Sequence, residues 1–393
     1  MGQFRFLTAG ESHGKGLVAV IEGMVAGLPV SEDFIAQDLK RRQAGYGRSA
    51  RMEIEQDKAE IISGVRHGLT IGSPISLLIR NRVWEDWQDV MSIAPVDKKI
   101  SPITSPRPGH ADLAGVTKYD MEDIRPILER ASARETAARV AVGAVARRFL
   151  GEFDITIRSH TTSIGKHVAK HTKSIDWKRV ENSPVRCADA GAEKEMKESI
   201  DEAKAEKDTL GGTFEVIATG VPVGLGSHVQ WDRRLEGQIA QAMMSIPAVK
   251  GVEIGSGFSL ASAKGSQAQD IIEPSLEGAT PPWSRPTNRA GGVEGGISNG
   301  QPIVVRAVVK PIATLGKPLP TIDLRTGKKA DAHYERSDIC VVPAAGVIGE
   351  AALAIVLTGA MLEKFGGDHL KETSANYKNY ISSAYSGNRY ATS

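Results

Sequence analysis

The apolar positions of this chain change period repeatedly, and the changes mark its elements. Residues 4–8 and 17–22 form two short apolar runs that predict strands or a hairpin. Residues 32–42 read as a helix, with Ser31 as its cap and an end near Ala44 and Gly45. β-type stretches follow at 60–65 and 75–79. Residues 122–150 read as helix, and 133–150 are so rich in alanine and valine that close packing on several sides is expected. A β-like run at 211–218, a small-residue helix at 235–244 and an apolar helix at 346–362 complete the periodic segments. Antiparallel-type strands alternating with alanine-rich helices predict an α+β architecture. No GxGxxG opens a helix after a strand and no Walker A sequence is present, so nucleotide-binding α/β folds are not indicated.

Lys, Glu, Asp and His dominate residues 164–207, which read as a peripheral segment carrying a charged surface helix at 192–207. The tail from Tyr377 to 393 reads as flexible, and the whole as one domain. An apolar fraction of 41% over 393 residues fits a globular protein. No apolar run is expected to approach the roughly 20 residues that span a bilayer. The N-terminal residues lack the basic and apolar regions of a signal peptide, which makes the cytoplasm the expected compartment. Two cysteines, Cys187 and Cys340, match neither a metal spacing nor a disulfide framework. Net charge is only +2 and aromatics are 5%, which argues against a nucleic-acid surface. Arginine instead clusters locally, at Arg41, Arg42, Arg48 and Arg51 and again at Arg125, Arg130, Arg134 and Arg139. Such clusters suit a small polyanion; a solvated basic face is the alternative.

Two histidines stand out. His13 lies in Gly10-Glu11-Ser12-His13-Gly14, and His110 in Arg107-Pro108-Gly109-His110-Ala111-Asp112. Glycine lets a ligand approach the backbone, and a histidine there can carry protons near neutral pH. Arginine offers a planar fork for carboxylate or phosphate, and Asp112 can orient an imidazole. Together they suggest proton transfer on an anionic substrate; a pair of histidines in ordinary turns is the alternative. Histidines 67, 160, 167, 171, 228, 333 and 369 read as solvent-facing. The loop at 45–51 is glycine- and arginine-rich and is expected to fold over an anion. Ser132 and the helix start beside Arg130 and Arg134 favour an anion as well.

Three later segments are candidates for chemistry: a glycine loop at 291–300, which either cradles an oxygen-rich ligand or is a plain glycine hairpin, the better reading of that segment alone; Lys310-Pro311-Ile312-Ala313-Thr314 at the end of a strand-like run; and residues 336–345 leading into the apolar helix. There Asp338 is a base, an orienter or the ion-pair partner of Arg336. Taken in order, these motifs span nearly the whole chain, which resembles the chorismate synthase family. Departures are Ala131 where many members have serine, Pro247 where others have asparagine, and Ala313 where proline is common.

The resemblance implies a β-α-β sandwich with helices between antiparallel sheets, usually as a homotetramer. It implies a 1,4-anti elimination of phosphate from 5-enolpyruvylshikimate 3-phosphate, giving chorismate with reduced FMN and no net redox change. His13 would protonate the leaving phosphate and His110 the reduced flavin. Asp338 would help remove the C6 proton. Ser12, Arg42, Arg48, Arg107, Arg134 and Arg336 would hold the substrate. Arg130, Ala131, Ser132, Pro247, Ala248, Gly295, Lys310, Pro311, Ile312, Ala313, Thr314 and Arg336 would contact FMN. Arg42 and Arg48 also match positions assigned to NADPH, although a separate flavin reductase is the expected source of electrons. A different FMN oxidoreductase would consume NADPH, and a silent anion-binding protein would bind without turnover.

Overall fold

The computed structural model describes residues 4–48, 56–170, 174–276 and 281–385. A first antiparallel sheet contains β1 (Arg5–Ala9), β2 (Gly16–Glu22), β3 (Glu60–Ser63) and β4 (Ile75–Arg80), in the spatial order β1-β2-β4-β3. Strict alternation sets its register: Leu17, Ala19 and Ile21 pair with Ile79, Leu77 and Ile75, and all six are buried. Between β2 and β3 lies helix α1 (Glu32–Gln43), where the Ser31 hydroxyl accepts from the Phe34 N–H. Ile35 and Leu39, four residues apart, bury one face of α1, and its basic last turn carries Arg41 and Arg42.

The helix expected across 122–150 is two helices. After α2 (Asp112–Tyr119), α3 runs Arg125–Ala131 and α4 runs Thr136–Gly151. Pro126 starts α3, since its missing N–H is harmless in a first turn. Ser132 breaks the run with ψ of 140°, and its hydroxyl accepts from Arg134 N–H at the head of a short 3-10 turn. Gly143 in α4 has a packing reason: a Cβ there would lie 2.3 Å from Ala351 Cβ on the facing helix.

The second antiparallel sheet holds β5 (Thr156–Ile164), β6 (Gly212–Thr219), β7 (Val249–Ile254) and β8 (Ile303–Val309), ordered β7-β8-β6-β5, with the two-residue strand His167–Val168 on the outer edge of β5. Helices α5 (Ala190–Ala205) and α6 (Leu235–Met244) intervene in the chain, and α7 (Val342–Phe365) and α8 (Leu370–Tyr385) close it. Helix α4 packs on β2 and β4, α7 packs on β5 and β6, and α4 and α7 pack on each other, with α1 against both. The main apolar cluster fills this arrangement.

Three expectations change. Helix α7 is long and apolar enough to cross a membrane by length and composition, contrary to the sequence reading, yet it is mostly buried against the sheet and α4. Residues 377–385 are the second half of α8, where Tyr377 packs on Phe153 and Phe365; 386–393 lie outside the described residues. The charged segment is anchored as well as solvated. Val168 pairs with β5, and Ala192, Met196, Ile200 and Ala203 bury one face of α5.

Candidate active site

The loop between β1 and β2 carries the first histidine motif, and three side chains shape it. Asn81 donates to the carbonyls of Glu11 at 3.0 Å and Gly14 at 2.8 Å. Arg130 donates to Gly10 O at 3.0 Å and to Thr8. Ser12 is buried; its N–H donates to Glu129 O, and Ser132 Oγ lies 3.2 Å from Ser12 Oγ. His13 meets the buried Glu129 twice, N–H to Oε2 at 2.7 Å and Nδ1 to Oε1 at 2.8 Å. Its ring stacks on Trp87 with centroids 4.0 Å apart. Arg125 reaches Glu129 at 3.1 Å and Glu335 at 2.5 Å, with its guanidinium 5.1 Å from the Trp87 ring centre. Burial opposes charge on Glu335, but the His333 hydrogen bond and the charges of Arg125 and His13 prevail and bring its carboxyl down to about 2.

The second motif folds on itself. Asp112, fully buried at the start of α2, accepts from Arg107 N–H at 3.0 Å and Arg107 Nε at 2.8 Å, and lies 2.5 Å from His110 Nδ1. Two groups face His110 Nδ1: the Asp112 carboxylate, which only accepts, and Arg107 Nη2, a donor 3.0 Å away. Burial would raise the Asp112 carboxyl, but His110 and Arg107 hold it well below the usual carboxylate range. Arg107 Nη1 donates to Thr314 Oγ1 at 2.9 Å, and Nη2 donates to Asp112 Oδ1 at 3.1 Å. Thus residues 107 and 314 meet, and Lys310 Nζ donates to Gly109 O at 2.5 Å. The Lys310 N–H also bonds Ala248 O, and Ala248 holds a left-handed φ of 69°.

The arginines gather around two carboxylates. Asp57 bridges Arg42 at 3.4 Å and Arg134 at 2.5 Å. Arg48 pairs with Asp338 at 3.1 Å. Burial, together with the charges of Arg48 and Arg134 and against that of Asp57, pushes the Arg42 guanidinium down to about 10. Arg42 also donates to Thr136 and to Ala133 O, so it serves as a wall of the site. Arg41 turns the other way, into Glu350 and Glu181. The segment taken as peripheral supports the arginine loop: Tyr46 N–H bonds Pro184 O, its hydroxyl reaches Asp201, and Gly47 sits against Ile200. Ser49, Ala50 and Arg51 lie outside the described residues.

A family model described as chorismate synthase matches residues 4–362. The chain belongs to the chorismate synthase family. It is 55% identical to the chorismate synthase of Moorella thermoacetica, covering 96% of this chain and 99% of that one. It is 54% identical to the one from Aquifex aeolicus, over 96% and 97%. A crystal structure of a chorismate synthase superposes with a TM-score of 0.78 at 46% identity, over 98% of this chain and 99% of that chain. The chain is therefore a carbon–oxygen lyase acting on a phosphate ester, in the shikimate pathway of aromatic amino acid biosynthesis. Chorismate synthases form chorismate and phosphate from 5-enolpyruvylshikimate 3-phosphate with a reduced flavin.

Among the residues that the family's motifs point to, contacts join Ser12, His13, Arg130 and Ser132 in one group. They join Arg107, His110, Ala248, Lys310 and Thr314 in another, and Arg42, Arg48, Arg134 and Asp338 in a third. Asn81 links the first and third, bonding both the His13 loop and Arg134. Ala131, Pro247, Ile312 and Ala313 are half-buried, and Pro311 and Arg336 are exposed. Gly295 stands apart, in a tight hairpin whose neighbour Gly296 bonds Leu235, at the opposite end of α6 from Pro247. Sequence reasoning missed Asp57, Asn81, Trp87, Glu129 and Glu335. Four of the histidines read as solvent-facing are half-buried: His160 pairs with Glu215, His167 with Glu195 and His333 with Glu335, and His369 packs beside Gly27.

Proposed function

We propose that the three groups of residues form one cleft in which this chain eliminates phosphate from 5-enolpyruvylshikimate 3-phosphate. The observation that carries the reading is the pairing of two histidines with buried carboxylates, beside guanidinium groups suited to a phosphate and two carboxylates. His13 gives a proton to the departing phosphate. Arg48, Arg107, Arg134 and Arg336, with Arg42 behind them and Ser12 alongside, hold the anionic substrate. Asp338, positioned by Arg48, takes part in removing the C6 proton, so that the C6 hydrogen and the 3-phosphate are both lost as a new double bond forms.

The residues present fit FMN. Lys310, Arg130 and Arg336 supply cations, Ser132 and Thr314 supply hydroxyls, and Gly109 and Ala248 present backbone in left-handed conformation. When bound in reduced form, the flavin would supply transient electron donation to the departing phosphate system, with no net redox change. Lys310, Pro311, Ile312, Ala313 and Thr314, with Arg130 to Ser132, Pro247, Ala248 and Arg336, would hold it; Gly295 would take part from the far end of α6. His110, held by Asp112 and Arg107, would hold or move a proton for the reduced flavin. Reduction by NADPH falls to a separate reductase. The same reading includes a cytoplasmic homotetramer with the family's sandwich of helices between sheets, and the exposed Leu7 and Val20 on the outer face of the first sheet support contact between copies.

Anaerobic turnover with chemically reduced FMN tests the reading. Chorismate and phosphate are expected one-to-one, with flavin still reduced at the end. Net NADPH consumption, or FMN binding without product, would overturn it. Arg48→Ala is expected to raise KM for the substrate at least tenfold; an unchanged KM at low and high salt would remove Arg48 from the substrate site.

A further inference from the structure

We infer that Glu129 is the positioning residue of the His13 proton transfer. The proposal rests on His13 acting as the acid, and it assigns the group that makes the imidazole competent. Glu129 sits on α3, 116 residues from His13, with its side chain fully buried. Its two carboxylate oxygens are divided: Oε2 accepts the His13 backbone N–H, and Oε1 faces Nδ1. A carboxylate whose task was to close the loop would need only the first contact. The second fixes the tautomer, because an ionised carboxylate accepts and never donates. Nδ1 therefore keeps its proton, and the proton exchanged with substrate resides on Nε2.

Two further contacts hold the arrangement. Trp87 stacks on the imidazole at an interplanar angle of 23°, which restrains rotation about the bond that Glu129 would otherwise hold alone. Arg125, one helical turn before Glu129, pairs with it and is shared with Glu335, so the buried carboxylate keeps a compensating charge. Glutamine cannot replace Glu129, because its amide nitrogen accepts nothing. It satisfies either the backbone N–H of His13 or Nδ1–H, but not both.

Three measurements test the assignment. In the wild-type protein, nitrogen NMR of the labelled His13 ring is expected to report the Nδ1–H tautomer in its neutral form; an Nε2–H tautomer would overturn the proposal without any assay of activity. Glu129→Gln is expected to lower kcat about 100-fold while KM stays within threefold, the pattern of a lost imidazole orienter. In a His13→Gln background the same change is expected to have no further effect, whereas losses that multiply would show that Glu129 acts elsewhere. A folded Glu129→Gln protein with normal kcat would also overturn it. Should Glu129→Gln not fold, Glu129→Asp keeps the acceptor, and the same tautomer measurement decides. Normal kcat in His13→Gln alone would instead defeat the reading of His13 as the acid, which the tautomer measurement leaves separate.

Discussion

The two histidine sites use the same bond with opposite sequence economy. His110 takes its carboxylate from two residues away, and the Arg107 that locks that carboxylate is three residues before it. His13 takes its carboxylate from α3, its stacking partner from a short turn of helix at Trp84–Trp87, and its second carboxylate, through Arg125, from residue 335. The histidine–carboxylate–arginine contact of the first site is a property of six consecutive residues, joined from afar only by Lys310 and Thr314; the second exists only once four separate segments have packed. A local site tolerates changes in packing elsewhere, whereas an assembled site reports on them.

Removing either imidazole is the harshest way to probe this pair. His13→Ala and His110→Ala are each expected to lower turnover by roughly 100- to 10,000-fold, the range for a lost general acid or base. Anaerobic release of chorismate and phosphate, with FMN binding followed in parallel, measures the effect. Near-normal turnover with intact FMN binding would remove the affected histidine from proton transfer.

Next in size is Asp112→Asn, which attacks the local site at its anchor. Arg107 is buried and loses its charge partner, and breaking a buried pair from one side costs about 3–5 kcal/mol. The variant is expected to melt well below the wild type and to lose substrate binding and turnover together. If stability is retained while only turnover falls, Asp112 serves His110 alone.

The same contrast explains what the sequence disclosed. Elements with a local cause were legible: the hairpin of β1 and β2, α1 with its Ser31 cap, β4 and α6. The break at Ser132 was not, because alanines on both sides of it hide a change in backbone direction that the Ser132 hydroxyl and the following 3-10 turn produce. In the site, Arg107, His110 and Asp112 announce one another by spacing. Glu129 reads as an ordinary helix charge beside Arg130, and Asp57 as a loop acid, because their partners lie 116 residues away and 15 and 77 residues away. Family motifs compensate for part of this, since they mark His13 and Arg134 without saying what holds them.

Glu335 sharpens the comparison through pH. Its folded-state value of about 2 lies below the ordinary carboxylate value of 4.5, so it stabilises the fold above that ordinary value. The contribution falls away as pH drops from 4.5 toward 2. Glu335→Gln is therefore expected to lower stability by about 1–3 kcal/mol at neutral pH. The difference from wild type should shrink as acid is added through that window, as followed by denaturant unfolding. A difference independent of pH would show that packing, and not the charge shared with Arg125 and His333, is what residue 335 provides.

Trp87→Leu carries the smallest effect and the finest distinction. Leucine keeps apolar bulk under His13 but has no ring face to lie 4.0 Å from the imidazole or to meet the Arg125 guanidinium. Stacking of this kind contributes about 0.5–1.5 kcal/mol beyond area, so kcat is expected to drop about two- to tenfold. His110 has no such partner among its described ring contacts, and its site is built from residues 107–112 and 314. Steady-state kinetics of Trp87→Leu alone and combined with His13→Ala separate the two sites. If the change has no further effect once the His13 ring is gone, Trp87 acts through that ring. If it slows the double variant as much as the wild type, Trp87 shapes the cleft as a whole, and the assembled site is less modular than its contacts indicate.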